Sequence, residues 1–117
     1  MNLTDALGQV ALERDSLHLR ELVLEILRTY PKLEHMPAPE TQDLKARAIA
    51  AGLIELLSDR RGQTAPAWTT LEGSTEPFFL VAAAETMPRL RFLCENNAPS
   101  FLKKRNLYAP PNFLEFA

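Results

Sequence analysis

Cysteine, glycine, histidine and β-branched residues are all scarce in this chain, and each scarcity removes a class of answer. The single cysteine, Cys94, cannot form an intramolecular disulfide, so nothing in the chain calls for an oxidising compartment. Four glycines leave little room for a phosphate-cradling loop, and no Walker, G-x-G-x-x-G, G-x-S-x-G or H-E-x-x-H pattern is present. The two histidines, His18 and His35, are separated by a helix and a proline turn and lack further ligands at metal-site spacing, which suits surface or helix-flank positions. β-branched residues are too few and too scattered to propose strands, so no sheet is expected. No apolar run approaches the roughly 18 to 20 residues that span a bilayer. The first residues carry neither a basic region nor a continuous apolar stretch of signal-peptide type, which points to the cytoplasm. A net charge of -2 excludes a wholesale electrostatic affinity for nucleic acid.

What is present is a helical pattern. With 117 residues, 46% apolar and 24% charged, the chain fits one folded domain spanning 1–117. It divides into a long-helix pair over 1–62 and a proline- and aromatic-rich short-helix module over 63–117. The segment Leu3 to Tyr30 repeats apolar residues at three- and four-residue spacing, with Thr4 or Asp5 as its cap and a break or kink at Asp15-Ser16. From Leu19, an inward stripe of Leu22, Val23, Ile26, Leu27 and Tyr30 opposes Arg20, Glu21, Glu25 and Arg28 on the solvent side. Pro31 ends the helix, and a proline-rich connection follows. Thr41 then caps a helix running to about Arg61, whose wide apolar arc also permits self-association. Gly62 suits a left-handed C′ position.

In the second half, Trp68 anchors a loop over 63–75. Glu76-Pro77 is expected to open a helix carrying Phe79, Val81, Ala82 and Ala83. Pro88 opens another with Leu90, Leu93 and Cys94 inward, and Pro99 a third with Phe101 and Leu102 inward and Asn106 as C′ residue. The architecture expected is all-α, with two long N-terminal helices packed against three or four short C-terminal ones.

No catalytic constellation emerges, and no cofactor is implied. Cys94, on the apolar side of its helix, reads as an inert core thiol. Glu21/Glu25 and Glu55/Asp59 are four residues apart and read as solvated helix faces, not as an acid-base pair. An enzyme is not expected. The charge is unevenly spread, however: between Pro88 and Tyr108 stand Arg89, Arg91, Lys103, Lys104 and Arg105 against one acid, Glu95. The cations near a short helix's end complement its dipole; they also form, with Tyr108, a candidate partner-binding set. The aromatics Trp68, Phe78, Phe79, Phe92, Phe101, Tyr108, Phe113 and Phe116 mostly serve the core, and any exposed subset would suit a binding hot spot.

The order Pro66-x-Trp68-Thr69, Glu76-Pro77-Phe78-Phe79, Leu90-Arg91, then Pro99 and Arg105-Asn106-Leu107-Tyr108 resembles a module of a small uncharacterised bacterial helical family. Over roughly residues 66 to 117 the chain looks like proteins encoded beside nucleotidyltransferase-like proteins of toxin–antitoxin or phage-defence type. The resemblance implies a non-catalytic, antitoxin-like protein that neutralises a nucleotidyltransferase-like partner by binding it. Some such proteins carry a helix-turn-helix unit ahead of the module. Here the connection from Tyr30 to Thr41 is too long and proline-rich for that unit's tight turn, and the second helix is apolar and alanine-rich. The alternative from another class is a small nucleic-acid-binding or transcription-regulatory protein using the 88–108 basic surface. Self-association as a homodimer is also open.

Overall fold

Chain order in the computed structural model, which describes residues 2–116, runs through three regular helices and then a succession of short pieces. Helix α1 spans Leu3–Glu13, α2 Ser16–Thr29 and α3 Leu44–Arg60; α4 (Pro88–Asn97) and α5 (Ser100–Lys103) follow in the second half. The longer helices are N-terminal and the shorter ones C-terminal, as the pattern predicts. Single 3-10 turns occur at Leu33–His35, Ala67–Leu71 and Ala82–Glu85.

The first segment breaks where its sequence offers a second cap. Arg14 takes a left-handed conformation (φ 60°), and the Asp15 side chain accepts the His18 N–H at 3.0 Å to start α2. The cap of α1 is Asn2 and not Thr4 or Asp5. Asn2 Oδ1 accepts the Asp5 N–H at 2.9 Å, and Asp5 answers the Asn2 N–H, closing a capping box. Thr4 and Asp5 are buried because both serve the proline-rich connection. Thr4 Oγ1 donates to the Pro37 carbonyl, and Asp5 Oδ1 accepts the N–H groups of Glu40 and Thr41 at 2.8 and 2.9 Å. That use of Thr41 shifts the start of α3: Asp43 caps it, accepting from Lys45 and Ala46.

Helix α3 is the centre of the molecule. Every residue from Ala48 to Ser58 is buried, since α1, α5 and the turns at Leu33–His35 and Ala67–Leu71 pack around it. A helix apolar on all sides belongs inside a fold. Its wide arc is therefore consumed internally, and self-association through α3, which the sequence allows, has no free face. Helix α1 crosses so closely that a Cβ added at Gly8 would lie 2.4 Å from the Ala46 carbonyl oxygen. Leu7, Val23, Ile26, Ile49, Leu53, Ile54 and Leu57 join Leu102 and Leu107 in one core. Gly62 takes the left-handed conformation expected after α3 (φ 64°).

The second half departs from the expected string of helices. No helix opens at Glu76-Pro77; Phe78–Phe79 is instead a short strand, β1, paired in parallel with β2, Leu107–Tyr108. The expectation of no sheet fails here because the pairing needs only two residues on each strand. It is set by a turn: Asn106 sits in the left-handed region (φ 63°), its carbonyl accepts the Phe78 N–H at 3.0 Å, and Tyr108 O accepts Leu80 N–H at 2.9 Å. The left-handed conformation of Asn106 is the one its sequence position calls for. Helix α4 lies at the edge, against the Ala82–Glu85 turn, with Cys94 its sole buried residue. Leu93, expected inward, is 38% exposed. No helix is long and apolar enough to cross a membrane among the described residues.

Candidate partner-binding surface

The basic residues of 88–108 do not form one patch. Arg105 points inward and is 3% exposed, which removes it from any partner-binding set. Its Nη1 lies 2.5 Å from Glu55 Oε1 and 3.0 Å from the Phe101 carbonyl, and its Nη2 donates to the Thr69 carbonyl at 2.8 Å. Lys104, half exposed, reaches the same Glu55 Oε1 at 3.0 Å. Glu55 is thus a buried carboxylate and not part of a solvated face with Asp59. Burial pushes its carboxyl up, but hydrogen bonds from Arg105 and Lys104, with the nearby guanidinium charge, outweigh this and hold it below the ordinary carboxylate value. The cations of 103–105 are divided between core and rim, and Lys103 alone of the three is exposed without an ion pair among the described residues.

The motif residues of this half share that inward role. Trp68 Nε1 donates to the Met36 carbonyl at 2.9 Å, so the indole ties the 63–75 loop to the proline-rich connection. Thr69 is fully buried and bonds back to the Pro66 carbonyl, and Asn106 Nδ2 holds the Thr75 carbonyl at 3.0 Å. Phe78 is flanked by two cations, with Arg14 and Lys45 each 4.8 Å from its ring centre. Arg60 Nη2 donates to the Pro111 carbonyl at 3.1 Å and Nη1 to that of Phe113, fastening the last turn to α3.

Helix α4 and the strand beside it are what remain at the surface. Arg91 pairs with Glu95 at 2.9 Å one turn away and lies 4.9 Å over the Phe79 ring. Phe79 and Tyr108 are in contact, their ring centres 5.6 Å apart. With Pro77 and Asn96, these four side chains line an open cleft of about 380 Å³. The outer side of α4 is apolar against expectation for a solvent face. Phe92 is 68% exposed, and Arg89, Leu93 and Asn96 share that side at helical spacing. Met87, at the N-terminal end of the helix, is also exposed. Arg89 has no ion pair among the described residues. Arg91 and Tyr108 line one cleft and Arg89 lies on the adjoining side of α4, whereas Lys103, the last residue of α5, and Lys104 just beyond it are not among the residues lining that cleft.

The sequence singles out Arg89, Arg91 and Tyr108 and places Phe92 among aromatics whose exposed members suit a hot spot; Leu93 is expected inward but is exposed, and Met87 is not singled out. The signal available is Phe92, which lies on the side of α4 opposite Leu90 and Cys94, with Leu93 on the flank between the two sides. Cys94 is fully buried, and burial followed by the Glu95 charge pushes its thiol above the ordinary value, which favours the unreactive protonated form. His18 and His35 are both exposed, and no three metal-ligating side chains gather among the described residues. Compared with known proteins, the chain matches no family model, no curated sequence and no solved structure.

Proposed function

We propose that this protein is a non-catalytic, protein-binding regulator of the cytoplasm, an antitoxin-type partner of a nucleotidyltransferase-like protein, and that α4 is its contact element. The observation that supports this reading is the outward face of α4, where Phe92, Leu93 and Met87 stand exposed beside Arg89, which has no ion pair among the described residues. An exposed aromatic with a neighbouring arginine is the composition of a binding hot spot, and a helix face laid into a groove is a common recognition mode. The interface set becomes Arg89, Phe92, Leu93 and Met87, with Arg91 and Tyr108 at its rim. Lys103 and Lys104 lie outside it.

The alternative of a nucleic-acid-binding protein loses support from the ion pairs. Glu55 offsets Arg105 and Lys104, and Glu95 offsets Arg91, so that within 88–108 Arg89 and Lys103 are the cations without an ion pair among the described residues, a short run for a phosphate track. The test is coexpression with the product of the adjacent gene, followed by titration of the purified pair. Phe92→Asp should weaken the complex by about 2 kcal/mol or more, and Arg89→Glu by about 1 to 3 kcal/mol, with circular dichroism unchanged. No complex with the wild-type chain, together with a salt-dependent shift of duplex DNA, would transfer the function to nucleic acid.

A further inference from the structure

Helix α2 carries apolar residues on two opposite sides. Leu19, Leu22, Val23 and Ile26 face the core, whereas Leu17 and Leu24 face solvent at 68% and 41% exposure. Leu17 and Leu24 are seven residues apart, which places them almost in line along a helix. Between α2 and the end of α3 this outer stripe borders a shallow groove of about 570 Å³ lined by Glu21, Leu24, Leu27, Arg28 and Arg61. Glu21 and Arg28 are also seven apart and flank the leucines on one side. Neither they nor Arg61 makes an ion pair among the described residues.

We propose that this face receives a second copy of the same chain, α2 packing antiparallel on α2 about a two-fold axis near Leu24. The charge order selects the occupant and its direction. A two-fold axis reverses the helix, so Glu21 of each copy meets Arg28 of the other, and the one complementary pair forms twice. Parallel packing would set Glu21 beside Glu21 and Arg28 beside Arg28, which repel. Leu24 meets its own counterpart at the axis, with Leu17 and Leu27 extending the apolar contact along a helix about 21 Å long. The seam is of coiled-coil type, with apolar residues at seven-residue intervals and charges flanking them. Arg20, 5.0 Å over the half-exposed Phe116 ring, closes one edge. The face belongs to α2 and is separate from the α4 contact element.

The experiment is the mass of the full chain alone by light scattering and sedimentation equilibrium over a wide dilution series. The wild type should be a dimer that dissociates on dilution, and Leu24→Asp should be monomeric at every concentration with unchanged circular dichroism. Glu21→Arg and Arg28→Glu should each raise the dissociation constant by about tenfold or more, because each places two like-charge contacts in one interface. The double variant Glu21→Arg, Arg28→Glu should restore it. A wild-type chain that is monomeric throughout, a dimer indifferent to Leu24→Asp, or charge reversals that fail to rescue each other would overturn the proposal. Phe92→Asp should leave the mass unchanged, so failure of the dimer and failure of the α4 reading are separately visible.

Discussion

The two halves of this protein solve the same problem by different means. Residues 2–62 fold as regular helices whose ends are capped by their own side chains and whose apolar spacing builds the core. Residues 63–116 have short elements, and polar side chains gripping distant carbonyls hold them in place. Trp68 on Met36, Arg105 on Thr69, Asn106 on Thr75 and Arg60 on Pro111 are all contacts of this kind. The contrast teaches that a string of tryptophan, arginine, asparagine and tyrosine need not be a binding motif. Where helices are too short to satisfy their own backbone, such residues supply the missing hydrogen bonds.

The apolar half should break most severely. Leu53 is fully buried in the centre of α3, so Leu53→Asp strands a carboxylate among Ile, Leu and Ala and should cost about 4 to 5 kcal/mol. A melting temperature equal to the wild type would contradict the placement of α3 at the core. The polar half should break almost as badly at one residue. Arg105→Ala removes the guanidinium from beside buried Glu55 and should cost about 3 to 5 kcal/mol, measured by urea unfolding. Arg105 Nε has no partner among the described residues, so the pair is imperfectly satisfied. The double variant Glu55→Leu, Arg105→Leu should therefore regain most of the loss.

Acid sharpens the comparison. Asp5 and Glu55 both have carboxyls held below their ordinary values, each against the upward push of burial. For Asp5 the backbone N–H groups of Thr41, Asn2 and Glu40 are responsible; for Glu55 it is Arg105 and Lys104. A folded-state pKa below the unfolded one contributes stability that is fully present above the unfolded value, near 4, and lost as pH falls through the folded value. Stability should thus be flat near neutrality and fall below about pH 4 to 5. Asp5→Asn and Glu55→Gln should each flatten the acid limb, at the cost of stability at neutral pH. A native state whose denaturation midpoint is the same at pH 3 and pH 7 would remove both groups from the account.

The first half was legible because its information is local. Apolar spacing marks the inward faces of α2 and α3, and the break before Ser16 announces itself as Asp15-Ser16. Gly62 and Asn106 are legible for the same reason, since a left-handed residue is a property of its own position. Two caps sit two or three residues from where the sequence puts them, where tertiary contacts compete: Thr41 gives its N–H to Asp5, 36 residues earlier, and Asp43 caps the start of α3. Arg105 was not legible within Lys103-Lys104-Arg105, because which of three adjacent cations turns inward depends on a carboxylate 50 residues away. The missed signal lay in α3. Glu55 is the one charged residue between Ala48 and Ser58, and a lone carboxylate on an otherwise apolar helix requires a buried cation. The exposed stripes of α2 and α4 escaped notice because attention to the inward spacing treats the opposite face as polar by default.

Trp68 gives a smaller, spectroscopic version of the same contrast. Its ring is half-buried against the core and its N–H bond to Met36 joins two irregular segments. Native fluorescence should be shifted to the blue of the unfolded chain. Trp68→Phe keeps an aromatic ring but loses the pyrrole part of the indole and its hydrogen bond, and should cost about 1 to 2 kcal/mol. A native spectrum already at the solvent-exposed maximum would detach the loop from the fold.

The smallest effect isolates burial itself. Lys104 and Arg105 are neighbours in sequence and both pair with Glu55 Oε1, but the Lys104 side chain is 53% exposed and that of Arg105 only 4%. Charge and partner carboxylate are matched; what differs is solvent, together with the two carbonyls that Arg105 alone bonds. In water the Lys104 pair is weak, because hydration competes with it and ordering the long side chain opposes it, and Lys104→Met should cost less than about 1 kcal/mol. Arg105→Met leaves the same carboxylate in a dry site without its guanidinium, strips one hydrogen bond from each of the Thr69 and Phe101 carbonyls, and should cost several times more, about 3 kcal/mol or above. Raising salt should erase much of the Lys104 contribution and little of that of Arg105, since screening acts on exposed charges. Equal losses from the two substitutions would mean that water reaches Glu55, and the division of this half into a buried arginine and a surface lysine would fall with it.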